Sequence, residues 1–289
     1  MKVLVLGASG MLGNAMFRIL SEKEEWEVFG TVRSGEVKKF FSPKLAERLV
    51  VGCDVEKDGD LINIFAQLHP DVVINCISLS RQLLNAGDPL VAIPIYALLP
   101  HRLAGLCDLS SARLVHISTD GVFSGAKGGY AEDDPPDAMD LYGIAKYLGE
   151  VRYPHTITLR TSIVGHELRE ANGLIDWFLS QSGSCRGYTR SVYSGLPTVA
   201  LARIVRDVVI PRPDLSGLYH VASRPITKHA LLRLVADVYG KAIDIIEDGS
   251  LIVDRSLDSR RFESATGYVA PDWPELIDAM RADWNKRRN

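Results

Sequence analysis

Three glycines spaced by two residues, Gly7-Ala8-Ser9-Gly10-Met11-Leu12-Gly13, follow directly on the short β-rich run Lys2–Leu6 and open a segment with helical spacing. Few folds accommodate that order. A glycine at a strand end permits a tight turn, a second lets the backbone approach a bound group with no Cβ in the way, and a third lets the helix pack closely on the sheet. The open N–H groups of the helix start and the positive end of its dipole favour phosphate oxygens. Gly7, Ser9, Gly10, Met11, Leu12 and Gly13 are therefore candidate residues for the pyrophosphate of a dinucleotide.

The first half of the chain keeps the matching rhythm. Strand candidates at Lys2–Leu6, Glu27–Arg33, Leu49–Cys53, Asp71–Cys76, Arg113–Ser118 and His155–Arg160 alternate with helical candidates at Met11–Leu20, Asp60–Leu68, Pro89–Leu109 and Leu141–Tyr153. Helix-length crossovers join parallel neighbours, so the pattern predicts an α/β, doubly wound parallel sheet of Rossmann type. After Arg160 the rhythm loosens, and Gly, Ser and Tyr gather between Ser180 and Gly195. The expected division is a dinucleotide-binding domain of residues 1–163 and 196–222, with a smaller, discontinuous substrate-facing lobe of 164–195 and 223–289.

With 289 residues, 46% apolar and 24% charged, the chain can bury a sizeable core. A formal charge of −3 gives no electrostatic pull toward nucleic acid or an anionic membrane. A small-molecule partner is expected, with homo-oligomer formation left open. No run reaches the ~20 continuous apolar residues that cross a bilayer. Pro94 and Pro100 interrupt the longest candidate, so no membrane role is expected. Cys53, Cys76, Cys107 and Cys185 show no metal-ligand spacing and are too few to staple the fold, which fits reduced thiols, a cytoplasmic setting and no metal.

Strand ends carry the remaining cofactor candidates. After the second strand, Gly30-Thr31-Val32-Arg33 lacks the acid that would hold a ribose 2′-hydroxyl and offers Arg33, suited to a 2′-phosphate. NADP(H) is favoured and NAD(H) is the second choice. Asp54 and Val55 follow the third strand, and Cys76, Ile77 and Ser78 follow the fourth. Ligands of open α/β sheets sit at that edge.

The fifth strand delivers His116-Ile117-Ser118-Thr119-Asp120 to the same edge, and Tyr142-Gly143-Ile144-Ala145-Lys146 follows on a helix. Spacing of i to i+4 puts Tyr142 and Lys146 on one helical face. A phenol, with an ordinary pKa near ~10, transfers protons poorly at neutral pH unless a cation nearby favours its ionised form. Lys146 supplies that cation and is placed to hold the nicotinamide ribose. Thr119 is the candidate donor to the substrate oxygen on which charge develops. Strand alternation directs Ser118 the other way. His116 reads as a core histidine satisfied by backbone. Arg186 and Arg190 are weaker candidates for a substrate diphosphate, and Trp177, Phe178, Tyr188 and Tyr193 for stacking on a base or sugar.

The glycine turn, Thr119, and Tyr142 with Lys146 resemble the extended short-chain dehydrogenase/reductases. Within them the chain looks most like the dTDP-4-dehydrorhamnose reductase family, through Val115–Gly125, Tyr130-Ala131-Glu132-Asp133, Tyr142–Glu150, Leu159-Arg160-Thr161-Ser162, Gly195-Leu196-Pro197-Thr198, Asp254–Arg260 and Pro271-Asp272-Trp273. That resemblance implies hydride delivery to the C4 ketone of a deoxysugar on a nucleoside diphosphate, with Tyr142 as proton donor and Thr161 beside the nicotinamide. Gly121 stands where the family often has tyrosine, and Tyr96 where it usually has asparagine. Two other readings share the scaffold: a sugar-nucleotide epimerase or dehydratase, and a catalytically silent NADP-binding regulatory subunit.

Overall fold

The computed structural model describes residues 1–79, 87–168 and 173–288. Its strands are β1 (Lys2–Leu6), β2 (Glu27–Val32), β3 (Leu49–Val51), β4 (Val72–Asn75), β5 (Arg113–Thr119), β6 (Thr156–Thr161), β7 (Ile163–Val164), β8 (Ser184–Tyr188), β9 (Ser191–Tyr193), β10 (Leu196–Pro197), β11 (Gly217–His220), β12 (Ile226–Thr227), β13 (Asp244–Asp248) and β14 (Val253–Asp254). The helices are α1 (Met11–Leu20), α2 (Pro43–Ala46), α3 (Asp58–Leu68), α4 (Pro89–Ile93), α5 (Leu99–Leu109), α6 (Leu141–Leu148), α7 (Leu174–Ser180), α8 (Thr198–Ile204), α9 (Lys228–Tyr239), α10 (Arg260–Thr266) and α11 (Trp273–Arg288).

Seven strands form one sheet in the order β11-β6-β5-β4-β1-β2-β3. The pairs β1–β2, β2–β3, β1–β4 and β4–β5 are parallel, in registers such as Leu4 against Phe29 and Val73. Strand order therefore reverses between β1 and β4, the place where a crevice opens beyond the carboxyl ends of a doubly wound sheet. Strands buried on both faces read as continuous apolar runs, and β1 and β4 do so: Val3 to Leu6 and Val72 to Asn75 are all buried.

Local chemistry departs from the sequence pattern in three places. Pro94 and Pro100 do not interrupt their segment; Pro89–Leu109 is one continuous apolar helix, half buried and long enough by length and composition to cross a membrane. A π-helical turn over Pro94–Leu98, closed by the Leu99 N–H donating to Pro94 O, joins α4 to α5. The segment expected to stay helical to Tyr153 ends at Leu148, and its cap is Gly149, where a Cβ would lie 1.9 Å from the Tyr96 carbonyl oxygen and no other residue fits. Beyond β6, small sheets β10-β7, β12-β9-β14 and β13-β8 organise a stretch that shows no regular rhythm in sequence.

By compactness the chain forms two units, one of residues 1–118, 139–159 and 202–218, and one of 119–138, 160–201 and 219–289. The first holds a core of Leu4, Leu6, Leu61, Val73, Leu99, Leu103, Leu114 and their neighbours. Each such fully buried side chain contributes roughly 1.5–3 kcal/mol. In the second, Val122, Phe123, Tyr130, Ala222 and Leu257 cluster, and α9 packs on β8 and α11. Residues 119–138 group by compactness with the second unit, although they continue β5 directly.

Candidate active site

The glycine turn is built as its spacing requires. Gly7 adopts φ +83°, which a side chain rarely tolerates, and its N–H donates to Thr31 Oγ1 at 3.1 Å. Gly13 lies so close beneath the turn that a Cβ there would sit 2.0 Å from the Gly7 carbonyl oxygen. Gly10 caps α1 with extended backbone and no side-chain hydrogen bond, so the first-turn N–H groups of α1 are left for a ligand. A helix start without a side-chain cap, behind a turn with glycine at both ends, fits a dinucleotide pyrophosphate. Ser9 and Gly10 are exposed, Met11 is half-buried and Leu12 is buried.

Neighbouring strand ends meet this turn. Cys76 donates its N–H to Leu6 O at 3.2 Å, and a Cβ on Gly7 would come within 3.0 Å of Ile77 Cδ1. Asn75 fixes the bend, its Oδ1 accepting from the Ile77 N–H at 3.1 Å while its amide meets His116 Nδ1 at 3.1 Å. His116 is thus buried as expected, but a side-chain amide, not backbone, is its partner; burial and the Lys146 ammonium hold it well below the usual imidazole range. Ser78 is exposed. Arg33 is exposed in the bend after β2, free of the sheet core. Asp54 is occupied locally: it accepts from the Glu56 N–H at 3.2 Å and pairs with Lys57 at 3.6 Å. Val55 belongs to the core.

Helix α6 starts at a proper cap, Asp140 Oδ1 accepting from the Gly143 N–H at 2.9 Å, and carries Tyr142 and Lys146 one turn apart. Lys146 is buried, and its Nζ donates to Ile117 O of β5 at 2.8 Å. Tyr96 braces both groups, its ring edge-on to Tyr142 at 5.2 Å and under the Lys146 ammonium at 5.9 Å. Tyr96 is held in turn by Leu79, whose N–H donates to its hydroxyl at 3.1 Å. Sequence reading registered Tyr96 only as a departure from a family pattern. Its bracing role comes from the π turn, which no local spacing signals.

Burial pushes the Lys146 ammonium down to about 8, with the Glu150 carboxylate pulling the other way. Burial also pushes the Cys76 thiol up to about 12 despite the Lys146 charge, so the thiol stays protonated at neutral pH. The ordinary lysine value is near 10.4, so between pH 8 and that value the unfolded chain binds the proton that the folded chain has lost, and stability rises with pH. The stability difference between wild type and Lys146→Met should therefore shift in favour of wild type by on the order of 3 kcal/mol between about pH 7 and 10.5. Urea denaturation of both proteins across that range checks it, and a flat difference would mean that Lys146 keeps its ordinary affinity for protons.

Thr119 ends β5 and Thr161 ends β6; both are buried and both belong to the second compact unit. The Thr119 hydroxyl accepts from the Gly121 N–H at 3.0 Å and donates to Asp120 at 3.2 Å. Thr161 Oγ1 donates to Ser162 O at 3.2 Å. Ser118 is taken up elsewhere, its Oγ donating to Glu150 at 2.8 Å. Of the weaker candidates, Phe178 is core, and Arg186 is exposed and pairs with Asp248 at 3.5 Å.

A parallel sheet that reverses order beside a glycine turn, with a buried lysine of a Tyr-x-x-x-Lys helix bonded to the fifth strand, defines the nucleotide-binding framework of the short-chain dehydrogenase/reductase class. Within it, the chain belongs to the RmlD substrate binding domain family, whose profile matches residues 1–250. It is 29% identical to a probable low-salt glycan biosynthesis reductase, Agl14, of Haloferax volcanii, over 98% of each chain. It is 30% identical to methionine adenosyltransferase 2 subunit beta of Mus musculus, over 96% of this chain and 89% of that one. The crystal structure of dTDP-4-dehydrorhamnose reductase from Bacillus anthracis in complex with NADP superposes with a TM-score of 0.77 at 19% identity, covering 98% of each chain.

Proposed function

We propose that the protein is an NADP(H)-dependent reductase of a keto group on a nucleotide-linked deoxysugar, in the manner of dTDP-4-dehydrorhamnose reductase. The observation that carries this reading is Lys146, buried, bonded to β5 and one helical turn from Tyr142. A buried ammonium in that position has a chemical purpose: it favours negative charge on a neighbouring phenol oxygen as the proton leaves. The family membership and the reductase name of the Haloferax volcanii relative support the same reading.

In this reading the α1 start and its glycine turn hold the pyrophosphate, Arg33 meets a 2′-phosphate, and Asp54, Val55, Cys76, Ile77, Ser78 and Thr161 line the rest of the cofactor. The bound cofactor supplies the hydride. Tyr142 gives its proton to the ketone oxygen, Lys146 stabilises the phenolate left behind and holds the ribose, and Thr119 turns its hydroxyl from Asp120 toward the substrate oxygen. The wild-type protein should oxidise NADPH stoichiometrically with at least one member of a panel of keto-sugar nucleotides. An epimerase or dehydratase shows no net oxidation, and a regulatory subunit binds NADPH without turnover; either result overturns the proposal.

Arg33→Ala tests the cofactor choice. An exposed arginine paired with a phosphate dianion contributes on the order of 1.5–3 kcal/mol, so the ratio of NADPH to NADH affinity should fall by roughly 10–100-fold. Fluorescence titration with both cofactors reads it, and an unchanged ratio removes Arg33 from the site.

A further inference from the structure

The segment after α6 stays in a turn, the Glu150 N–H donating to Tyr147 O at 3.1 Å, so Glu150 stands one further turn along from Lys146. Its side chain is 1% exposed. A carboxylate so enclosed needs partners, and the one that fixes its direction is Ser118, whose hydroxyl donates to it at 2.8 Å. Lys146 meanwhile bonds the carbonyl of Ile117, the residue before Ser118. Two opposite charges four residues apart thus grip consecutive residues of β5.

From this geometry we infer that Glu150 is a positioning residue: its buried carboxylate, fixed by Ser118, is the counter-charge that keeps Lys146 cationic and aimed at the end of β5. The groups around the ammonium leave few other sources of negative charge. Cys76 at the end of β4 carries a protonated thiol, His116 on β5 is neutral, and Tyr96 and Tyr142 present aromatic rings. Arg152 reaches the far carboxylate oxygen only at 4.0 Å and is itself half exposed. Without Glu150, burial would act on the ammonium almost unopposed and weaken its hold on the proton further. Glutamine keeps an oxygen for Ser118 and removes the charge alone.

The role presupposes the reductase reading where it concerns turnover, whereas the charge coupling stands independently of it. The test is therefore made in two arms. The first follows the side-chain NMR signals of labelled lysine through a pH titration of the full chain, with Lys146 assigned by its loss in Lys146→Arg. Glu150→Gln should lower the Lys146 midpoint by at least about half a unit, a roughly threefold weaker hold on the proton. Glu150→Asp, which withdraws the charge by one methylene, should move it less in the same direction and serves if the glutamine variant does not fold. An unmoved midpoint in a folded variant overturns the inference. In the second arm, the kcat deficit of Glu150→Gln in NADPH oxidation should widen as pH rises from about 6.5 to 8.5. A deficit equal at every pH marks a merely structural residue and also overturns it. Should wild type oxidise NADPH with no keto-sugar nucleotide, the reductase reading fails while the titration still decides the coupling.

Discussion

Replacing Tyr142 with phenylalanine should lower kcat by roughly 10²–10⁴-fold, the range that a positioned proton donor supplies, while NADPH binds within about twofold of wild type. The substitution removes one oxygen and leaves the ring, so the edge-on contact with Tyr96 at 5.2 Å and the cap of α6 at Asp140 survive. Any loss is then chemical and not a matter of folding. Lys146 keeps its bond to Ile117 O in the variant. Transfer of hydride without a proton would leave an alkoxide with no positioned donor, and water is a poor substitute because it is not held in line. Single-turnover oxidation of bound NADPH, alongside a fluorescence titration of cofactor affinity, separates the two effects. A variant that turns over within tenfold of wild type would strip Tyr142 of the role.

How much of this could be read before the fold was known follows from the range of the forces involved. The turn at Gly7–Gly13 and the placing of Tyr142 and Lys146 one helical turn apart are set by neighbours within seven residues, and the apolar runs of β1 and β4 mark buried strands without naming their partners, so sequence patterns report these features well. The end of α6 is different. Gly149 must be glycine because the Tyr96 carbonyl lies against it, a contact made by a helix far away in sequence. Proline likewise does not always break a helix, and Pro94 opens a π turn inside the continuous helix Pro89–Leu109. Arg160 reads as the polar end of a strand, yet it is fully buried, its guanidinium stacked 5.1 Å from the Phe123 ring and bonded to His220 at 3.2 Å. The neutral state of His220 makes that contact workable: its Nδ1 donates to Tyr130 O at 3.0 Å, and burial pushes the imidazole down to about 3. Glu150 belongs with these, a fully enclosed carboxylate whose partner Ser118 lies on a strand 32 residues earlier.

Gly13→Ala should cost the protein its cofactor. The new Cβ would stand 2.0 Å from the Gly7 oxygen and 2.7 Å from its carbonyl carbon, so backbone, not a flexible side chain, must move. Relief comes only by lifting α1 from the sheet or by pushing the turn outward, and the turn is fastened by Gly7 to Thr31 Oγ1 and by the Ala8 N–H to Thr31 O at 3.0 Å. Overpacking of this kind destabilises by about 1–3 kcal/mol. The larger consequence is for binding, because the first-turn N–H groups of α1 are aimed by the same contact, and misaiming several of them should weaken NADPH at least ~100-fold, on the order of 3 kcal/mol. Gly10→Ala is the informative contrast. There the nearest atom to a new Cβ is the Gly7 oxygen at 3.4 Å, ordinary contact, so the free protein should keep its melting temperature. If the phosphates approach the turn over Gly10, that variant loses NADPH affinity with no loss of stability. If both variants bind NADPH like wild type in an equilibrium titration, the pyrophosphate lies elsewhere and the turn is only a device for packing α1 against the sheet.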